Sequence, residues 1–142
     1  MATRRRFIKQ AAGISLTCSG MGMLSTLGGC VSTRYVSFIQ SGNSLLVNKQ
    51  EVGEDKFVLL SSDGLEAPIY LLKTENDKYQ AIYLLCTHKF CDVKPAGAIL
   101  ACPCHGSEFT QSGKVLKGPA ESDLATFPVT SDGDNIYIQI KS

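Results

Sequence analysis

The feature that most constrains this chain is a pair of short segments in which cysteine and histidine recur. Residues 86–91 read Cys-Thr-His-Lys-Phe-Cys and form the first box, and residues 102–107 read Cys-Pro-Cys-His-Gly-Ser and form the second box. Ten residues separate the boxes, and the 142-residue chain has only two histidines, His88 and His105, one in each box. Thiols and imidazoles are ligands for zinc, copper and iron-sulfur clusters, so this concentration predicts a metal site.

The spacing narrows the kind of metal. Zinc ligands usually come in pairs separated by two or more residues, because both side chains must converge on one tetrahedral ion. The plausible ligand pairs here are Cys86 with His88 and Cys102 with His105. One further cysteine remains in each box. Two thiolates, two imidazoles and a spare dithiol match a 2Fe-2S centre with both histidines on one iron. Zinc, structural disulfides alone and chance are the alternatives.

The boxes resemble those of the Rieske iron-sulfur proteins, most closely the subunits of cytochrome bc-type quinol oxidases, which read Cys-Thr-His-Leu-Gly-Cys and Cys-Pro-Cys-His-Gly-Ser. This resemblance implies one 2Fe-2S cluster per chain, with two cysteines on the inner iron and two histidines on the outer iron. The implied ligands are Cys86, Cys102, His88 and His105. It also implies a disulfide between Cys91 and Cys104, and it places the hydroxyl of Ser107 on a bridging sulfide.

The chain departs from that family pattern at three places. Lys89-Phe90 stands where the family has Leu-Gly, which puts a charge and a ring at the loop tip that meets the partner. Phe109 stands where the quinol-oxidising members carry a tyrosine that bonds a ligand sulfur. The run from His88 to Cys102 holds 13 residues, slightly fewer than in those members. We therefore expect a cluster whose potential and partner surface differ from theirs.

The N-terminus predicts export. Residues 3–9, Thr-Arg-Arg-Arg-Phe-Ile-Lys, resemble the twin-arginine signal, and the apolar, Gly- and Ser-rich residues 10–26 resemble its hydrophobic region. A basic patch that contacts a membrane surface or nucleic acid is the alternative. The twin-arginine route carries folded proteins, so a cluster can be inserted before transport. We expect residues 1–29 to be the signal peptide and the domain to lie on the periplasmic side of a bacterial membrane.

Residues 27–30, Leu-Gly-Gly-Cys, resemble a bacterial lipobox. We expect a lipid on Cys30, with residues 30–33 as a short tether of about 17 Å at most. The alternatives are a free or buried thiol, cleavage elsewhere by ordinary signal peptidase, or a retained transmembrane helix. Residues 10–29 are long enough to span a bilayer of about 30 Å. Five of these 20 residues are glycine and five are serine or threonine, a poor composition for an anchor helix.

The charge and the cysteine usage of the chain are consistent with an exported domain on the periplasmic side of a membrane. Four of the 14 basic residues lie in residues 1–29, so the rest has 10 basic and 13 acidic residues, a net charge of −3. An acidic body without a basic cluster argues against nucleic acid as a partner. A disulfide is stable outside the cytoplasm, where the signal directs the domain. With Cys18 removed in the signal, every cysteine has a role.

Residues 34–142 are expected to form the Rieske domain. Short runs of β-branched and aromatic residues separated by turn signals predict strands, and no stretch has the period of a long amphipathic helix. The predicted strands are 35–39, 45–48, 57–61, 68–73, 79–85, 124–130 and 135–140, with apolar runs at 98–101 and 115–116. Residues 75–78 predict a hairpin. Gly118-Pro119-Ala120 resembles the family's proline loop over the cluster, or is an ordinary turn.

The predicted fold class is all-β: a small antiparallel Rieske-type sandwich or barrel with a two-loop cluster-binding subdomain. The sequence shows no nucleophile or acid-base pair, so we assign no catalytic residues and interpret the chain as a one-electron carrier. The expected partner is a cytochrome or an exported oxidoreductase. The alternative is the iron-sulfur subunit of a cytochrome bc-type quinol oxidase, in which His88 or His105 accepts the quinol hydrogen.

Overall fold

The computed structural model describes residues 33–61 and 63–140. Within them the chain forms twelve short strands, one helix and one 3₁₀ helix, and all paired strands run antiparallel. The strands are β1 Ile39–Ser41, β2 Ser44–Asn48, β3 Phe57–Leu60, β4 Ile69–Lys73, β5 Tyr79–Tyr83, β6 Lys94–Ala96, β7 Ile99–Ala101, β8 Glu108–Thr110, β9 Val115–Lys117, β10 Thr126–Phe127, β11 Val129–Ser131 and β12 Asn135–Gln139. The predicted all-β class is therefore confirmed.

The strands make three four-stranded sheets. The outer sheet has the order β1-β2-β12-β11, the middle sheet β10-β5-β4-β3, and the site sheet β6-β7-β8-β9. The first box lies between β5 and β6, and the second box between β7 and β8. Residues 118–125 connect β9 to β10 and form a third loop. The two boxes therefore flank the first hairpin of the site sheet, which is the subdomain that the sequence predicts.

The middle sheet is buried on both faces. Successive side chains on a strand point to opposite faces, and β4 divides accordingly between two cores. Ile69 and Leu71 belong to the first core, shared with the outer sheet, whereas Tyr70 and Leu72 belong to the second core, shared with the site sheet. All four of these residues are at most 7 % exposed. This explains why 68–73 reads as a continuous apolar run rather than an alternating one.

The hairpin predicted at 75–78 is confirmed. β4 and β5 pair antiparallel up to Lys73 and Tyr79, and the 3₁₀ helix Glu75–Asp77 connects them. Asn76 and Asp77 have φ of 58° and 57°, which asparagine and aspartate tolerate better than most residues do. The turn chemistry visible in the sequence therefore sets this register.

Two of the predicted strands are wrong in extent. Of residues 35–39, only Tyr35 makes an isolated bridge, to Leu59, and β1 begins at Ile39. Residues 124–130 form two strands rather than one. β10 pairs with β5 in the middle sheet, and β11 pairs with β12 in the outer sheet. Pro128 lies between them, and because it has no N–H to donate to a ladder, the chain changes sheets there.

One helix, α1 at Lys49–Val52, was not predicted because four residues are too few for a hydrophobic period. Asn48 caps it by accepting a hydrogen bond from the Gln50 N–H at 2.8 Å, and Gly53 with φ 56° ends it. No helix of the described residues is long and apolar enough to cross a bilayer. The predicted signal peptide, the predicted lipidation site Cys30 and most of the predicted tether lie outside the described residues.

The turn between β8 and β9 packs the site sheet against the middle sheet. Gly113 there has φ 86°, and a Cβ built on it would lie 3.2 Å from Cγ2 of Ile82. Its carbonyl accepts the N–H of Leu124 from the third loop at 2.8 Å. Glycine is needed at this point for both backbone conformation and close approach. The contact fixes the site sheet and the third loop to the same face of the middle sheet.

Candidate metal centre

The first box is a closed turn. The Phe90 N–H donates to the Cys86 carbonyl at 2.9 Å, and the Cys86 N–H donates to the Cys91 carbonyl at 2.9 Å. Phe90 has φ 56°. Since the two bonds pair the first residue of the box with the last two, the intervening residues 87–89 project at the tip.

The second box repeats this turn. The Gly106 N–H donates to the Cys102 carbonyl at 3.1 Å, and the Cys102 N–H donates to the Ser107 carbonyl at 2.8 Å. Gly106 has φ 76°. Position by position, Cys102 corresponds to Cys86 and Gly106 to Phe90. The sequence does not show this equivalence, because the histidine is third in one box and fourth in the other.

The thiols of Cys86 and Cys102 lie inside the second core. They are 1 % and 2 % exposed and are the free cysteines of the described residues. Burial raises the pKa of the Cys102 thiol, while the backbone N–H groups of Cys104 and His105 donate toward its sulfur and act in the opposite direction. Donors aimed at a buried sulfur favour its negatively charged form, which is the form that binds metal.

The two imidazoles lie side by side at the surface. The ring centroids of His88 and His105 are 5.0 Å apart, with an angle of 82° between the ring planes. His88 is half-buried and His105 is exposed. The structure thus brings both histidines of the chain together, although 16 positions separate them in the sequence.

A disulfide joins the boxes. Cys91 and Cys104 are bonded, with a Cα–Cα distance of 6.5 Å, and this is the pair that the resemblance implies. The sulfur of Cys102 lies within 4.8 Å of both bonded sulfurs. These three sulfurs do not make a zinc site, because bonded sulfurs have no thiolate to offer a metal. Their short separation instead shows how close the Cys91–Cys104 disulfide lies to the free thiol of Cys102.

Ser107 connects the second box to the third loop. It is fully buried, and its Oγ accepts a hydrogen bond from the Ala120 N–H at 3.0 Å. Because that oxygen acts as an acceptor in this bond, its own proton remains free to donate. Among the described residues, Ser107 is the one buried polar residue that is neither a tyrosine nor a cysteine.

The third loop lies beside His88. Pro119 and Glu121 line a cleft together with His88 and Thr87. The Thr87 hydroxyl donates to the Ser122 carbonyl at 2.7 Å, which ties the first box to this loop. Of the two readings of Gly118-Pro119-Ala120, this placement favours a loop that covers the site over an ordinary turn.

Phe109 is the predicted site residue that lies deepest. It is fully buried in the second core, the core that contains both free thiols. On β8 it pairs with Leu100 of β7, so it faces the middle sheet from the site sheet. A phenyl ring at this position contributes packing and no hydrogen bond.

The donor set fits a two-iron cluster. Two buried thiols inside and two imidazoles outside match the division of ligands in a Rieske centre, and backbone N–H groups donate toward the Cys102 sulfur. A single ion would need its ligand atoms to converge on one point, whereas a two-iron cluster needs two pairs. The free thiols and the neighbouring histidine rings provide two such pairs.

The model of the Rieske [2Fe-2S] domain family matches residues 43–128, which is more than half of the chain. The chain belongs to this family, and Rieske proteins carry a 2Fe-2S cluster.

The chain is similar to named members of the family. It is 35 % identical over 75 residues to the cytochrome b6-f complex iron-sulfur subunit of Prochlorococcus marinus (strain MIT 9303), a match covering 50 % of this chain and 42 % of that protein. It is 46 % identical over 55 residues to the same subunit of Synechococcus sp. (strain JA-3-3Ab), covering 37 % and 31 %. These matches therefore span less than half the length of either relative.

Solved structures agree. The plasma membrane Rieske protein PetC3 from Synechocystis PCC 6803 superposes with a TM-score of 0.55 at 30 % identity, covering 66 % of this chain and 98 % of that one. A chain of the complex of reduced oxygenase and oxidized ferredoxin in carbazole 1,9a-dioxygenase gives 0.53 at 21 % identity, covering 71 % and 96 %. The second likeness shows the fold alone.

Proposed function

We propose that this chain is an exported, membrane-anchored one-electron carrier serving another redox enzyme on the periplasmic side of a bacterial membrane. The observation that carries the proposal is the arrangement of the two boxes. Two buried thiols lie under two imidazoles that reach the surface at one end of a small domain. Such an arrangement would bury the thiolate side of the cluster and leave its histidine side accessible to a partner.

We assign the cluster to four side chains. Cys86 and Cys102 would hold the inner iron, and His88 and His105 the outer iron. The cluster supplies the uptake and release of a single electron at a potential raised by the neutral imidazole donors. The ring nitrogens that do not bind iron hold protons at the surface, where solvent or a partner can accept them.

The surrounding residues would adjust the potential of the cluster and shield it from water. The amides of Cys104 and His105 donate toward the Cys102 sulfur, which favours negative charge there. The hydroxyl proton of buried Ser107 would be the donor to a bridging sulfide of the cluster, since its oxygen already accepts from Ala120. The second core excludes water from the thiol side, and the third loop borders a cleft beside His88. His105, the more exposed imidazole, is the point of contact for electron exchange.

The anchoring part rests on the N-terminal sequence, with residues 1–29 as signal and a lipid on Cys30. The fold is compatible with it. Val36, near the start of the described chain, packs in the first core, whereas the free thiols lie in the second core on the other face of the middle sheet. The free thiols therefore lie on the face of the middle sheet away from Val36, which supports a partner on that side of the domain.

A second candidate is the iron-sulfur subunit of a cytochrome bc-type quinol oxidase. The identity of 35 % to 46 % with cytochrome b6-f complex iron-sulfur subunits favours it. In that role, His88 or His105 would accept the quinol hydrogen. Deleting the gene should then abolish quinol-dependent cytochrome c reduction by isolated membranes, whereas the first proposal predicts that this activity persists.

The first test is the metal content of the full chain, purified in detergent from a host that exports it. We expect two irons and two acid-labile sulfides per chain. The electron paramagnetic resonance spectrum of the reduced protein should show couplings to imidazole nitrogens. One zinc per chain without sulfide would contradict both candidate functions.

A further inference from the structure

The outward face of three strands of the outer sheet carries no charged side chain. On β2, Leu45 and Val47 are fully buried in the first core, so the alternate side chains point outward. The register of β1, β2 and β12 places these outward side chains on one face, here called the uncharged face: Ile39, Ser41, Ser44, Leu46, Asn48, Asn135, Tyr137 and Gln139. None of them is charged, although residues 30–142 include 10 basic and 13 acidic residues.

A hydrophobic row crosses the centre of the uncharged face. Ile39 pairs with Leu46, and Leu46 pairs with Tyr137, so the three side chains are neighbours on adjacent strands. Ile39 is 66 % exposed, and the other two are half-buried. The Tyr137 hydroxyl donates to Asp132 at 2.8 Å, so its polar end already has a partner. Hydrophobic side chains flanked by neutral polar ones therefore replace the charges that are usual on a solvated surface.

A groove lies beside this row. It has a volume of about 240 Å³, and its lining includes Phe38, Ile39 and Leu46, with Glu51 as the charged residue at its border. Ile39 belongs to β1, which is an edge strand of the outer sheet. Apolar surface that stays in contact with water contributes nothing to folding, because the stabilisation scales with the area removed from water. The groove and the row together form an apolar surface that the domain itself leaves open.

The uncharged face begins shortly after the predicted lipidation site. The chain is fixed at Arg34, whose carbonyl accepts the Leu59 N–H at 2.8 Å and whose guanidinium donates to Asp55 at 2.7 Å. Cys30 precedes Arg34 by four residues, so the tether reaches about 17 Å at most. Ile39 follows five residues after Arg34. A lipid on Cys30 would therefore hold the start of the outer sheet close to the bilayer surface.

We propose that the uncharged face of the outer sheet rests on the surface of a lipid bilayer. The proposal depends on the lipid anchor proposed above, which supplies the proximity. Ile39 and Leu46 enter the boundary between headgroups and acyl chains, and their exposed area is removed from water. Tyr137 lies at the level of the headgroups, where tyrosine is favoured. Because the face has no charge, no ion is desolvated when it meets the bilayer.

This orientation makes the site sheet the layer farthest from the bilayer. The middle sheet lies between the other two, since it shares the first core with the outer sheet and the second core with the site sheet. Packed sheets are about 10 Å apart, so the site sheet lies roughly 20 Å beyond the outer sheet. The orientation therefore favours a partner that reaches above the bilayer surface over a quinol within it.

Tryptophan fluorescence tests the contact, because the chain contains no tryptophan and one introduced residue reports alone. The full-length, exported Ile39→Trp variant is reconstituted into phosphatidylcholine vesicles with and without bromine on the upper part of the acyl chains. Bromine quenches tryptophan on contact, so we expect most of the fluorescence to be lost in the brominated vesicles. Leu116→Trp is the matched control, since Leu116 is 56 % exposed on the edge strand of the site sheet. Its fluorescence should be the same in both vesicles.

A second pair of variants tests why the face binds. Ser41→Glu, added to Ile39→Trp, places a carboxylate on the uncharged face and should restore most of the fluorescence, because the charge resists desolvation. Ser112→Glu, the same change in the exposed turn between β8 and β9, should leave the quenching intact. High salt should also leave it intact, since screening weakens contacts between charges and not apolar ones.

Several outcomes would overturn the proposal. They are no quenching of Ile39→Trp, equal or stronger quenching of Leu116→Trp, or quenching that Ser41→Glu does not reduce. A dimer in sedimentation equilibrium that Ile39→Glu dissociates would assign the face to a second copy of this chain instead. Labelled palmitate tests the anchor separately, because quenching in a protein without label would support the bilayer contact and reject the lipid on Cys30. Iron and sulfide content tests the carrier function in the same preparations.

Discussion

At the scale of single residues, Phe109 sets an expectation for the potential. It is fully buried in the core that contains Cys86 and Cys102, and phenylalanine cannot donate a hydrogen bond to sulfur. A hydroxyl donating to a ligand sulfur stabilises the reduced cluster, which carries one more negative charge. If such a bond contributes about 1.5 kcal/mol, Phe109→Tyr should raise the one-electron potential by roughly 60 mV.

Film voltammetry on both proteins measures this shift. Cluster content should remain the same, because Phe109 is not a proposed ligand. An unchanged or lowered potential would mean that residue 109 does not face a ligand sulfur.

Tyr70 carries a buried polar group that its position in an apolar run did not predict. It is fully buried, and its hydroxyl has no hydrogen-bond partner within the described residues. An unsatisfied buried hydroxyl costs about 1–3 kcal/mol, so Tyr70→Phe should raise the free energy of unfolding by about 1 kcal/mol. A loss of stability in urea unfolding would show that the hydroxyl has a partner, such as a bound water.

The same residue predicts a pH dependence. Burial raises the pKa of Tyr70 from 10.0 to about 12. Because the unfolded chain then releases this proton at lower pH than the folded chain, stability falls as pH rises from about 10 toward 12. The advantage of Tyr70→Phe should therefore be larger at pH 11 than at pH 9. An equal difference at both values would contradict the burial effect.

At the scale of elements, the two boxes are short turns held together by one covalent bond. Without the Cys91–Cys104 disulfide, each turn keeps its two backbone hydrogen bonds but loses its link to the other. A cross-link closing a loop of about 15 residues contributes roughly 3 kcal/mol. Cys91→Ser should therefore permit cluster assembly, lower stability by that order and shorten the lifetime of the cluster several-fold.

The decay of visible absorption under mild denaturant measures that lifetime. Cys104→Ser should behave alike, and the double variant should lose no more than either single one, because both remove the same bond. Free thiols at both positions in exported wild-type protein would argue against the Cys91–Cys104 disulfide.

At the scale of the whole molecule, Val36, near the start of the described residues, and the free thiols lie on opposite faces of the middle sheet. Val36 packs in the first core, and the free thiols belong to the second. If a lipid on Cys30 anchors the protein, Cys30→Ala should abolish incorporation of labelled palmitate and release exported protein from washed membranes. Cys18→Ala, in the predicted signal, is the matched control and should leave labelling intact. Labelling that persists in Cys30→Ala would refute the lipoprotein hypothesis.

The sequence alone determined the ligand types and the strand content. Metal ligands are chemical groups, so cysteines and histidines at fixed spacing identify a centre before any fold is known. Strands such as β2, β4 and β12 follow from local apolar and β-branched runs. The hairpin at 75–78 follows from turn residues. All of these signals lie within a few neighbouring positions.

The tertiary structure decided the features that depend on contacts between residues far apart in the sequence. Residues 124–130 read as one strand, but their partners β5 and β12 belong to different sheets, so the chain divides at Pro128. The side-by-side imidazoles and the Ala120 bond to Ser107 likewise join segments that only the packing of the site sheet brings together. The strained φ of Phe90 emerges from a turn closed by its own backbone bonds, which residue identity does not encode.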